Sequence, residues 1–341
     1  MKRIAVMLLS LLPLVAQADD WSDSDIVVFS HIDEITDWFT TKGFWLEQNH
    51  AAEQDVPYVV LTGISDRWQD TAQQLPVAEK KDIFYHFMLP LVLHANHMVL
   101  ERREDVLQMR ATLAAGNHLS DTDFQTLREG AVLLRVIDTG TAAKLNPASP
   151  ELGGIIEELL YRLDVIPAGL VLGQAAYESG YGTSRFAAEG NALFGQWSFG
   201  GAGLVPEQQR KQLGDHRITT FEWPFDSVRA YYLNLMSHPA YEDFRRLRAE
   251  LNAKGKTPTS LQLADGLSHY SERGQEYVDT LKGIIRVNKL DLADTAQLRD
   301  EAATFVVIAE DDADALHLRE EIKTMRAKGQ LDEIVARMRL D

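Results

Sequence analysis

Apolar residues recur at helical spacing along most of the chain. Between 77 and 109, Phe84, Phe87, Met88, Leu91, Val92, Ala95, Val99 and Leu100 fall at core-face spacing and predict a long helix. Pro90 should kink or split it, because proline lacks an N–H and crowds the preceding turn. The same reading predicts helices over 25–48, 121–137, 152–163, 167–178, 225–237, 241–251, 261–267 and 276–290. Asp121 or Thr122 is expected to cap the helix that starts there, and Pro167 sits at a first turn, where its missing N–H costs nothing. β-branched runs at 58–62 and 304–309 predict short extended segments, with charged amphipathic helix over 314–340. The stretch 139–154, with Pro147 and Pro150, reads as a linker. The stretch 198–223, glycine-rich and then polar, reads as a loop or small β-hairpin lobe. The order describes a mainly α protein of α+β class. It divides into an N-terminal helical region (19–145), a second helical domain with its small lobe (146–297) and a short strand-helix extension (298–341). The extension has too little apolar surface to fold alone, so it is expected to dock on the body as an accessory outside the reaction centre.

The most informative stretch is 167–197, PAGLVLGQAAYESGYGTSRFAAEGNALFGQW. A near-apolar helix built on Leu170, Val171, Leu172, Ala175 and Ala176 ends on one carboxylate, Glu178. Desolvating that group is costly unless its environment is used. Burial and the partial negative charge of a helix C-terminus both favour the protonated form, so the pKa of Glu178 should lie above the usual carboxylate range. A carboxyl kept protonated near neutral pH is what general-acid catalysis requires. Gly180 and Gly182 permit a sharp exit from the helix, while Tyr177, Tyr181, Phe186 and Trp197 supply flat apolar faces of the kind that stack on sugar rings. Gln174, one turn before Glu178, is placed to orient its carboxyl group. Asn191 and Gln196 read as residues that fix the loop.

The run AAYESGYGTSRFAAEGNALFGQW resembles the signature of the glucosaminidase domain of glycoside hydrolase family 73, approximately A-x-E-S-G-W-G-x-S-x-x-A-x-x-x-N-N-L-F-G. Three further stretches resemble the Bax family of secreted bacterial proteins: KKDIFYHFMLPLVLHANHMVLERRE (80–104), RAYYLNLMSHPAYEDFRRLR (229–248) and HYSERGQEYVDTLKGIIRVNKLD (269–291). The resemblance covers about 60–290. It implies a lysozyme-like fold and hydrolysis of peptidoglycan or a related N-acetylglucosamine polymer, with Glu178 as general acid. Tyr270 resembles the first residue of the family's Y-x-x-D-x-x-Y motif, in which a hydroxyl orients the acetamido group. This chain has Arg273 at the Asp position and one extra residue before Tyr277. Ser198 stands where relatives often carry Cys, so that position does no chemistry here. A second catalytic group is expected from the lobe, where Glu207 and Glu222 are the glutamates, although neither sits in an obvious match to the family's second Glu. The mechanism can equally be single-acid or assisted by the substrate's acetamido oxygen. The substrate-binding candidates are Gln174, Tyr177, Tyr181, Phe194, Trp197 and Tyr277.

The first residues point to the same compartment. Lys2 and Arg3, an apolar run over 4–15 and Ala16-Gln17-Ala18 form a signal peptide over 1–18, cleaved after Ala18, which makes the protein periplasmic or secreted. The run is too short to span a bilayer, and no later stretch is long enough to anchor the chain. The formal charge of −17 disfavours nucleic acid, whose phosphates repel it. With no cysteine there is no disulfide framework, so packing must supply stability. His94, His97 and Glu101 share a helix face, but without H-E-x-x-H or a Cys ligand no metal is expected, nor any cofactor. Protein partners are not readable. Three functions are consistent with these residues: an endo-β-N-acetylglucosaminidase, a lytic transglycosylase with one Glu, and a non-catalytic glycan-binding envelope protein.

Overall fold

β-branched stretches from opposite ends of the chain meet in one sheet. A computed structural model describes residues 25–42, 54–64, 66–198, 203–206 and 217–328; residues 1–18, expected as a signal peptide, and Glu207 lie outside the described residues. β1 (Asp25–Phe29), β3 (Val59–Leu61) and β7 (Thr304–Ile308) form a parallel sheet in the order β1-β7-β3, with Asp25 and Val59 both in register with Thr304. β2 (Gln54–Val56) pairs in parallel with β6 (Ala296–Leu298). The strand of the C-terminal extension is therefore the central one of the larger sheet. A parallel sheet is stable when both faces are covered, and Phe305 and Val306 are inaccessible. Helix α1 (Ile32–Lys42) and the terminal α13 (Asp312–Ala327) pack beside β1. The sequence pattern predicted one helix over 25–48. Instead Ile26, Val28 and Phe29 are buried in strand β1, because a partner far away in sequence completes the backbone hydrogen bonds of that segment.

After α2 (Asp66–Gln74) comes α3 (Val77–Ala114), a single helix of 38 residues. Pro90 lies inside it and does not split it. The reason is burial: every residue from Ile83 to Ala95 is enclosed, so packing on all sides outweighs the one backbone bond that proline removes. By length and composition this helix could cross a membrane, contrary to the sequence expectation that no such stretch exists. Most of its apolar window is instead buried inside the fold, against β3, α6, α7 and α9. α4 (Asp121–Leu133) is capped by Ser120, whose hydroxyl accepts from Asp123 N at 3.1 Å, one residue ahead of the predicted cap. The short α5 (Thr139–Ala142) lies in the expected linker, followed by α6 (Leu152–Arg162), α7 (Ala168–Ser179) and α8 (Arg185–Gly190). The lobe contains β4 (Trp197–Ser198) and β5 (Arg217–Ile218), an antiparallel pair. α9 (Pro224–Ser237), α10 (Glu242–Ala253), α11 (Ser260–Leu263) and α12 (Gln275–Val287) complete a mainly α, α+β protein. Among the described residues the main apolar core runs from the sheet through α3 into α7, α9 and α12, and a small second cluster joins Val28, Ala309 and Ala315.

Candidate active site

α7 passes through the interior of the fold. Leu170, Val171, Leu172, Ala175 and Ala176 are enclosed, and Gln174 is 0% exposed. Close packing of this helix depends on Gly169: a Cβ there would lie 2.1 Å from the carbonyl oxygen of Leu290. Asp294 fixes the same junction, accepting from Gly169 N at 3.0 Å and from Ser260 N at 2.8 Å. Gly169→Ala is expected to cost about 1–3 kcal/mol or more in denaturant unfolding, since neither backbone can give way. An unchanged midpoint would show that the junction is softer than this contact implies.

The helix ends at Gly180, in the left-handed region with φ 59°, and Tyr181 and Gly182 continue at positive φ before Ser184 caps α8. Asn191, also left-handed, ties three segments together. Its Oδ1 accepts from Ile64 N at 2.9 Å, and its Nδ2 donates to the carbonyl of Glu222 at 2.9 Å. Gln196 holds the loop to α9 through the Ser227 carbonyl at 3.1 Å. These bonds fix where the 192–197 loop runs, which is across the end of α7.

Glu178 is half-buried at that end. Its Oε1 accepts from the Tyr277 hydroxyl at 2.9 Å, and its Oε2 faces Gly195, where a Cβ would stand 4.0 Å away. Burial pushes the carboxyl above its ordinary value of 4.5, while the bond from Tyr277 pulls it partly back. Around it stand four tyrosines. Tyr277 lies flat on Tyr270, with ring centroids 5.5 Å apart, and Tyr270 stands 5.8 Å from Tyr241. The Tyr270 hydroxyl donates to the Phe194 carbonyl at 3.0 Å, and the Phe194 ring stacks on Tyr231 at 4.2 Å. The Tyr231 hydroxyl donates to Gln174 Oε1, and Gln174 Nε2 donates to Tyr277 Oη at 2.9 Å. Burial first, and then neighbouring charge that includes Glu178, raises the pKa of Tyr231, Tyr241, Tyr270 and Tyr277. All four remain neutral hydrogen-bond donors at physiological pH.

The residues singled out from sequence are placed as follows. Gln174 reaches Glu178 through Tyr277 and is sealed from solvent, as are the Tyr277 and Phe194 rings, so these three pack around Glu178 and do not offer open faces to a sugar. Tyr177 is half-buried, edge-on to Tyr277, and its hydroxyl accepts from Arg273, which also pairs with Glu276 at 2.7 Å. Tyr181 turns the other way, onto α3. Its ring meets Phe84 and Tyr85 edge-on, Lys81 lies 5.4 Å above it, and its carbonyl accepts from Trp68 Nε1. Trp197, on β4, is 47% exposed. Glu222 is exposed, and its carbonyl serves Asn191. Tyr231, Tyr241 and Gly195 were not singled out from sequence. The available signal was the three hydroxyl-bearing rings in RAYYLNLMSHPAY, Tyr231, Tyr232 and Tyr241, polar groups among apolar residues that need a buried partner. The suggested metal face is divided. His94 is buried, hydrogen-bonded to the Tyr58 hydroxyl and pushed down to about 3 by burial, whereas His97 pairs with Glu101 at the surface, 3.3 Å away. A separate apolar pocket is lined by Ile35, Leu61, Trp68, Phe84 and Phe87, and among the described residues no carboxylate is in its wall.

Residues 154–290 match the glucosaminidase family, described as mannosyl-glycoprotein endo-beta-N-acetylglucosaminidase. The chain is 35% identical over 131 residues to Protein bax of Escherichia coli (strain K12), a match that spans 38% of this chain and 46% of that protein. No solved structure matches it. Glu178 and all four of the surrounding tyrosines fall within the matched range, so the site lies in the part of the chain that is similar to the glucosaminidase family, while Protein bax is matched over less than half of its own length.

Proposed function

We propose that this protein is a periplasmic or secreted endo-β-N-acetylglucosaminidase that cleaves the β-1,4 bond after N-acetylglucosamine in peptidoglycan, with Glu178 as general acid. The observation that carries the reading is the environment of that one carboxyl. It sits at the end of an enclosed helix with its pKa raised by burial, one oxygen held by Tyr277 and the other facing the small residue Gly195. A proton held on a largely desolvated but still accessible carboxyl suits protonation of a glycosidic leaving group. The signal-peptide pattern at 1–18 supports export. Incubation with purified sacculi is expected to release fragments that end in reducing N-acetylglucosamine.

A second reading, the lytic transglycosylase, has one specific support. Among the described residues the groups gathered around Glu178 are tyrosines, an amide and a glycine, while the exposed Glu222 serves Asn191 through its carbonyl. A single carboxyl acting as acid and then base would leave anhydro-muramic ends instead of reducing ends. Absence of any released sugar would favour a glycan-binding protein.

Trp197, 47% exposed beside the 192–197 loop, is the sugar platform we favour. Trp197→Ala is expected to weaken binding of chitin oligomers with at most a moderate drop in melting temperature, because about half of the ring is already exposed. A large drop in melting temperature with intact binding would assign the ring to packing.

A further inference from the structure

We propose that Gln174 is a positioning residue that decides which oxygen of Glu178 carries the acid proton, by holding the Tyr277 hydroxyl in its donating orientation; this rests on Glu178 being the acid. The side chain of Gln174 is 0% exposed, so water cannot satisfy its amide. Its Oε1 is taken by the Tyr231 hydroxyl, and its Nε2 points at Tyr277 Oη, 2.9 Å away. An amide nitrogen only donates, so the Tyr277 oxygen must accept there. A phenol has one proton, and the remaining partner of Tyr277 is Glu178 Oε1, at 2.9 Å. That oxygen therefore accepts a hydrogen bond and cannot hold the acid proton along the same line. The proton resides on Oε2, facing Gly195, where the lack of a side chain leaves room for a glycosidic oxygen.

The opposite amide orientation makes clear what is at stake. With the Gln174 oxygen toward Tyr277, the phenol would donate backwards to Gln174. Glu178 would then have to donate to Tyr277 from Oε1, and its proton would face the interior. The chain Tyr231, Gln174, Tyr277, Glu178 spans α9, α7 and α12, so three helices hold one proton in place. The titratable groups that face Glu178 are Tyr231 on α9, Tyr241 ahead of α10, Tyr270, and Tyr277 on α12, all neutral, while Arg273 reaches the rim at Tyr177. No other positive charge is needed to account for the carboxyl's balance between burial and the Tyr277 bond.

The test follows the Glu178 carboxyl by carbon NMR titration of the full chain, its signal identified by its loss in Glu178→Gln, alongside the pH profile of sacculus digestion. Tyr277→Phe removes a donor to the carboxylate, so the midpoint and the basic limb should move up by about one pH unit. Gln174→Leu should move both in the same direction and lower kcat about tenfold with KM within twofold, since no substrate contact is lost. Adding Gln174→Leu to Tyr277→Phe should bring no further shift, because the amide acts through that hydroxyl. Tyr231→Phe, which deletes one oxygen, should show a smaller shift of the same sign and covers the case in which Gln174→Leu does not fold. An unmoved midpoint in Gln174→Leu and Tyr231→Phe, or additive shifts in the double variant, would overturn the proposal. The titration reads the carboxyl whether or not sugar is released, so failure here is distinct from failure of the assigned activity, which an active Glu178→Gln would reveal.

Discussion

Glu178→Gln is expected to lower turnover by about 10²- to 10⁴-fold while the protein stays folded. Glutamine keeps the size of the side chain, and its carbonyl can still accept from the Tyr277 hydroxyl, so the tyrosine cluster has no reason to collapse. What is lost is the transferable proton. Stability should respond in the opposite sense to activity. A carboxyl whose native pKa lies above its unfolded value favours the folded state fully below the ordinary value of 4.5, and loses that contribution as pH rises through the native pKa. The glutamine variant has no such titration. Its melting temperature relative to wild type should therefore climb over that window and then level off. Sugar release from sacculi and thermal unfolding across pH measure the two effects together. Activity within a few-fold of wild type would remove Glu178 from the mechanism, whatever the unfolding curves show.

Loss of β7 should be the largest structural effect. Phe305 is 0% exposed at the centre of the sheet, between β1 and β3. Phe305→Ala is expected to cost about 3–5 kcal/mol, the usual range for deleting an enclosed aromatic ring. A chain ending at Gln297 should do worse. It leaves β1 and β3 without the neighbour that satisfies their backbone groups and exposes the face of α3 beneath them, so cooperative unfolding should be lost. Leu316→Ala on α13, where the side chain is 63% exposed, serves as the contrast and should stay within about 0.5 kcal/mol of wild type. The effect should also reach the site. The Phe305 ring stands edge-on to Trp223, the residue ahead of α9, and α9 carries Tyr231. An extension that only rides on the body would instead give the Gln297 truncation the midpoint and sacculus digestion of the full chain, and that result would refute the central role of β7.

The amino-acid sequence by itself determined the local features. The apolar period of α3, α6, α7, α9 and α12 is a property of neighbouring residues, and so is the placement of one carboxylate after Leu170, Val171, Leu172, Ala175 and Ala176. Gly180 and Gly182 marked the helix exit for the same reason, because positive φ is a demand each residue meets alone. Pro90 shows where such reasoning stops: a local rule predicted a break, and burial from Ile83 to Ala95 overrode it. Only the tertiary structure decided that 25–29 is a strand, since its partner is Thr304–Ile308, at the far end of the chain, and no periodicity encodes a pairing at that separation. The site divides in the same way. Glu178 was legible as an ionisable group at the end of an apolar helix, but Tyr231 and Tyr241 were not, nor was the Tyr277 hydroxyl through which Gln174 reaches the carboxyl. Whether a hydroxyl or an amide meets a carboxyl depends on how three helices cross, and crossing geometry is set by packing among residues distant in sequence.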